Sequence, residues 1–296
     1  MPLAPINEMM ASARRGGYAV GYFESWNLES LQGVIDAAEA SRSPMIIGFN
    51  GDFLSGRERI APERLSWYGS LGRAAAESAT VPCGFIFNEC PDDDWVRAAV
   101  VSGFNLVMLA DPSASYEDSV HRVSELSRFA HAHGVAVEAE LGVLPCGTSD
   151  DPSHAGSLTD PEQAAKFVEA TGIDLLAVSV GNVHIRLEGA GGLDLDRLDR
   201  ISRRVKCGLV LHGGTGVEPE ALRAAVGLGV VKVNFGTYLK QHYLAAVRKA
   251  LANNGADPHR LLGIGGPDDV LTAGRLAVRD AVLARIDLLG CSGKAS

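Results

Sequence analysis

The chain has 296 residues, 46% hydrophobic and 21% charged, a balance that suits a folded protein with a sizeable core. Its 27 basic and 36 acidic residues give a formal charge of -9, and the absence of any basic run argues against an extended nucleic-acid surface. There is no apolar stretch long enough for a membrane span, and residues 1–17 lack the apolar core of a signal peptide, so a cytoplasmic protein without a membrane partner is expected.

Short β-type runs alternate with helix-like segments from end to end. Residues 18–23 form the first strand candidate, followed by a helix over residues 27–40. Further strands are expected at 45–48, 83–87, 106–109, 135–140, 175–180, 209–211 and 230–234, which makes eight. Between the fourth and fifth, Val120, Val123, Leu126 and Ala130 recur at helical spacing. Gly103, Gly134 and Gly172 stand where helices end. Eight βα units in one chain of this length predict a closed (β/α)8 TIM barrel rather than an open sheet, as one domain over residues 1–296. Residues 267–289 add one or two C-terminal helices beyond the ring. The long irregular stretch is 143–158, rich in Gly, Ser, Asp and Pro; a loop of that length in a compact domain is usually a lid or binding loop. Cys83, Cys90, Cys146, Cys207 and Cys291 are odd in number and scattered, which excludes a disulfide framework and predicts mostly buried thiols.

Chemistry gathers behind the later strands. His184 follows strand six through Gly181-Asn182-Val183, and His212 closes strand seven. Imidazoles at the carboxyl ends of neighbouring parallel strands converge, and neutral imidazole is a common metal ligand. Glu140 ends strand five, and Glu89 follows the apolar run of strand three, where it can complete a site of two histidines and one carboxylate. Gly213-Gly214-Thr215-Gly216 after strand seven and Asn234-Phe235-Gly236-Thr237 after strand eight offer backbone amides and hydroxyls to an anion, the usual barrel phosphate cradle. Gly181 is counted with these ligand-binding positions. His121, His131, His133, His242 and His259 read as structural; His154 lies in the long loop.

At these residues the chain resembles the class II, metal-dependent fructose-bisphosphate and tagatose-bisphosphate aldolases over nearly its whole length. The likeness runs through Gly17-Tyr18-Ala19-Val20-Gly21, Val137-Glu138-Ala139-Glu140-Leu141-Gly142 and Thr171-Gly172-Ile173-Asp174. It continues in Val183-His184, Leu211-His212-Gly213-Gly214-Thr215-Gly216 and Lys232-Val233-Asn234. The resemblance implies a phosphorylated sugar or triose phosphate as partner, a homodimer or homotetramer, and a zinc ion on three histidines, two of them His184 and His212. The third metal histidine of the family is Glu89 here, and the family's catalytic aspartate is Asn88.

An amide hydrogen-bonds an oxygen but exchanges no proton near neutral pH. A carboxylate ligand at Glu89 favours harder ions such as Mn²⁺ or Mg²⁺ beside the zinc that the resemblance implies. The family's mobile-loop glutamate falls near Gly147-Thr148-Ser149-Asp150-Asp151, where only Asp150 and Asp151 are acidic. Other departures are Ile185 for a glycine, Gly236 for an asparagine or aspartate, and Glu24 for an asparagine. The phosphate half is kept and the acid-base half rewritten. Two functions are expected. One is a lyase cleaving or forming a C–C bond in a phosphorylated ketose through a metal-stabilised enolate, with Asn88, Glu89, Glu140, Asp150 and Asp151 as its catalytic candidates. The other is a non-aldolase descendant, an isomerase or another sugar-phosphate enzyme, or a phosphometabolite-binding protein.

Overall fold

Eight runs of β-branched and apolar residues pair side by side because each is buried on both faces, the condition that an all-parallel sheet requires. In the computed structural model, which describes residues 3–56, 58–142, 144, 156–183, 192–252 and 257–295, they close into a barrel with every strand parallel and in sequence order. The strands are β1 (Val20–Glu24), β2 (Met45–Asn50), β3 (Cys83–Cys90), β4 (Leu106–Leu109), β5 (Ala136–Leu141), β6 (Leu175–Val178), β7 (Gly208–Leu211) and β8 (Val230–Phe235). The ring shuts where Tyr22 of β1 pairs with Asn234 of β8.

Around it run α1 (Ile6–Gly16), α2 (Leu28–Ser41), α3 (Gly51–Ser55), α4 (Leu65–Ser78), α5 (Asp93–Val101) and α6 (Tyr116–Ala132). They continue as α7 (Pro161–Thr171), α8 (Leu195–Ser202), α9 (Pro219–Gly227), α10 (Thr237–Ala252), α11 (Pro258–Leu261) and α12 (Val270–Leu289). Side chains alternate along each strand. One set meets the helices, as where Phe49 edges Tyr68 of α4 and Phe87 stacks on Trp95 of α5. The other set fills the barrel.

Of the described helices additional to the eight βα units, α1 and α12 are the two longest. Helix α1 buries Ile6, Met9, Met10 and Ala13, and the chain just before it is tied to the barrel by Ala4 N–H to Cys83 O, 2.9 Å, and Asn105 Nδ2 to Ala4 O, 2.8 Å. This closes the amino end. Helix α12, the expected addition beyond the ring, packs along α2 and α10. A β-carbon on Gly33 would stand 2.6 Å from the Arg275 carbonyl, and Arg275 forks onto Asp36 at 2.6 and 2.8 Å. Cys83, Cys90 and Cys291 are buried free thiols and Cys207 is partly so, as expected for packing residues; Cys146 lies outside the described residues. No described helix is long and apolar enough to cross a membrane.

Candidate active site

Strand β3 runs past its expected end at residue 87 to Cys90, and its pairing with β4 slips between Phe87 and Cys90. Within the slip Glu89 takes φ = 54°, the left-handed region. A glutamate there costs about 1 kcal/mol or more and persists only where its surroundings hold it. The bulge turns Glu89 toward the barrel axis. Asn50, at the end of β2, donates Nδ2 to Glu89 Oε2 at 3.0 Å, and Glu89 Oε1 lies 3.0 Å from His212 Nδ1.

His212 is 1% exposed and sits in a carboxylate cage. Its Nε2 meets Glu138 at 2.9 Å, while Nδ1 is 3.0 Å from Glu89 and 3.1 Å from Glu140. Glu138 is itself fully buried and paired with Lys232, whose Nζ lies 2.8 Å from Oε2 and 3.1 Å from Oε1. Burial opposes ionisation of Glu138, yet Lys232 and His212 outweigh it and hold the carboxyl below its usual value. Burial likewise opposes charge on His212, but its hydrogen bonds to Glu138, Glu140 and Glu89 raise its pKa well above the ordinary range.

This arrangement fits a cation. Glu138 occupies one ring nitrogen, which turns the other toward two carboxylates, as a carboxylate behind a ligating histidine does. Neighbouring donors on a shared ion stand roughly 3.0–3.4 Å apart for metal–ligand distances near 2.1 Å, so each of the two contacts at Nδ1, taken by itself, has the spacing of a ligand pair. Among the described residues no complete group of three His, Cys, Asp or Glu side chains encloses a metal. The expected third donor, His184, lies outside the described residues, as do Asp150, Asp151 and His154.

Beside this cage is a small cavity of about 60 Å³ lined by Tyr22, Glu24, Asn88, Glu89, Gly213, Thr215, Asn234, Gly236, Thr237 and Lys240, among others. Both expected phosphate-cradle loops therefore meet, with Thr237 opening α10. Gly214 lies beneath, where a β-carbon would strike Val233 Cγ1 at 2.5 Å. Gly181, exposed after β6, does not line the cavity. Glu24 was not foreseen in the cradle: its Oε2 would stand 2.2 Å from a β-carbon at position 236, and its Oε1 receives Lys240 Nζ at 2.6 Å. The carboxylate fills the room that Gly236 leaves, and Lys240 neutralises it. Asn88, 2% exposed, offers its amide to the same space.

A second cavity of about 390 Å³ opens from Glu89 and Glu140 toward Phe53, Met108, Leu109 and Phe167. A larger one, about 760 Å³, lies at the amino ends of β6 and β7 against α1, opposite the rim where barrel sites are built. Of the histidines read as structural, His131 binds Asp174 at 2.8 Å, and His133 and His242 bind carbonyls of their own helices at 2.8 Å. Sequence reasoning missed Glu138, Lys232, Lys240, Asn50 and Tyr22. A usable signal was present: Glu138 and Glu140, like Lys232 and Asn234, stand two apart within apolar strands, so each pair shares the inner face.

Residues 4–294 match the family model for fructose-bisphosphate aldolase class-II. The chain belongs to that family. It is 33% identical to the fructose-bisphosphate aldolase of Geobacillus stearothermophilus, with all of both chains covered. Among solved structures it is similar to the YdjI aldolase of Escherichia coli K12, with 31% identity, a TM-score of 0.81, and 99% of this chain and 100% of that one covered. A putative fructose-1,6-biphosphate aldolase from Coccidioides immitis matches at 28% identity and a TM-score of 0.83, covering 98% of each chain. Class II aldolases are lyases that use a divalent metal and bind sugar phosphates.

Proposed function

We propose that this protein is a metal-dependent aldolase-type lyase that cleaves or forms a C–C bond in a phosphorylated ketose or related sugar phosphate. The observation that carries this reading is the orientation of His212, whose Nε2 is held by Glu138 so that Nδ1 faces Glu89 and Glu140. His212 and Glu89, with His184 as third donor, would hold the ion, zinc by family habit or Mn²⁺ or Mg²⁺ because of the carboxylate. A divalent cation there would polarise the ketose carbonyl and offset the charge that develops on its oxygen as the C–C bond breaks.

The residues of this chain do the rest. Backbone amides of the loops at Gly213–Gly216 and residues 234–237 bind the phosphate, and Lys240 exchanges Glu24 for it. Asn88 orients a substrate oxygen without taking its proton. Proton removal falls to Glu140, Asp150 or Asp151. The remote part of the ketose lies in the cavity of about 390 Å³ walled by Phe53, Met108 and Phe167, which suits a chain with some apolar surface.

The replacement of the family's aspartate by Asn88 favours one other reading, an isomerase on a phosphorylated sugar that needs no proton at that position. A panel of phosphorylated ketoses, assayed with metal-analysed protein for both triose-phosphate release and isomerised product, separates the two. Cleavage supports the lyase; isomerised product alone would replace it.

A further inference from the structure

Three polar side chains around the small cavity are at least nine-tenths buried and carry an atom with no hydrogen-bond partner among the described residues. They are Tyr22 through its hydroxyl, Asn88 through Oδ1 and Asn234 through Nδ2, with exposures of 2%, 2% and 7%. Tyr22 and Asn234 are register partners across the β1–β8 seam. Lys232 Nζ, which can only donate, binds Asn234 Oδ1 at 2.6 Å and so fixes Nδ2 as the free donor. The Lys232 ammonium also lies 5.1 Å from the Tyr22 ring centroid, locking that ring against the same strand. Polar groups are not left buried and unmet without cause. These three share one space, and between them they offer both donors and acceptors without net charge. Their complement is a hydroxyl or carbonyl oxygen, not a second anion.

We propose that Tyr22 is a substrate-contacting residue of this site, its phenolic O–H bonding an oxygen of the ketose next to the phosphate. The assignment rests on the sugar-phosphate reading above. It places a neutral O–H donor in the cavity where the chain has exchanged an aspartate for Asn88. Burial, with Glu24, Glu89 and Glu138 nearby, raises the Tyr22 pKa well above its usual value, so the phenol keeps its proton.

Tyr22→Phe removes one oxygen and leaves the packing. Calorimetric titration of the metal-loaded protein with dihydroxyacetone phosphate should show binding weakened about five- to tenfold. Inorganic phosphate, which reaches the cradle alone, should bind both proteins equally. The ligand-free unfolding midpoint should stay the same or rise, because the lost hydroxyl had no partner. Equal affinity of variant and wild type for dihydroxyacetone phosphate would overturn the assignment. So would a midpoint lowered by several degrees, which would mean the hydroxyl is structural. Failure of the wild type to bind either probe is a separate result; it overturns the sugar-phosphate reading and this assignment with it.

Discussion

Glu89 concentrates the chemistry of this chain in one residue. Its carboxylate lies 3.0 Å from His212 Nδ1, it is braced by Asn50, and its backbone sits at φ = 54°. Its place at the end of β3 was readable from the apolar run before it. The left-handed turn was not, because nothing in Phe87-Asn88-Glu89-Cys90 marks a bulge as a glycine would. Glu89→Gln keeps the shape and removes the charge, so metal affinity should fall at least tenfold, measured by competition with a chromogenic chelator, and excess metal should restore part of the activity. Lys232 tests the layer beneath. Lys232→Met leaves Glu138 charged and buried without its cation, a loss of about 3–5 kcal/mol. Chemical denaturation should register that loss, and a change in metal affinity should accompany it, because Glu138 is then left with His212 as its partner and holds that ring's proton more tightly.

Among the elements, helix α12 was foreseen as an addition beyond the ring, and α2 was placed to within a residue at each end. Helix α1 was missed although its signal is present: Ile6, Met9, Met10 and Ala13 repeat at three, four and seven residues. The strand ends drifted by up to three residues, because the pairing partner rather than the local sequence decides where a strand stops. Helix α12 is capped by Asp269, which is 1% exposed and accepts from Leu271 N at 2.9 Å, Thr272 N at 3.3 Å and Gly265 N at 2.9 Å. Asp269→Ala should cost about 1 kcal/mol in urea denaturation at neutral pH. Burial opposes the Asp269 charge, but the backbone amides outweigh it and lower its pKa. A depressed folded pKa gives stability that is present above the ordinary carboxylate value and lost as pH falls through the folded one. The gap between variant and wild type should therefore narrow in acid. A gap that is constant down to pH 2–3 would mean the carboxylate charge adds nothing.

The molecule as a whole was legible because eight βα repeats leave few topologies open, and parallel closure follows from burial on both faces. The site was legible only in part. Residues at strand ends announced themselves by position, whereas Glu138, Lys232 and Tyr22 lie inside strands, where their neighbours come from strands distant in the sequence. The central claim is that this chain removes a proton beside a ketose carbonyl with the help of a metal, with Asn88 and Glu89 at the end of β3. Hydrogen exchange tests it without knowledge of the aldehyde partner. Dihydroxyacetone phosphate is incubated with metal-loaded protein in deuterium oxide, and its C–H signals are followed by proton NMR. The account predicts loss of one of the two hydrogens on the hydroxyl-bearing carbon, abolished by a chelator and restored by Zn²⁺ or Mn²⁺. Retention of both hydrogens at the buffer rate, by protein that demonstrably holds its metal, would contradict it.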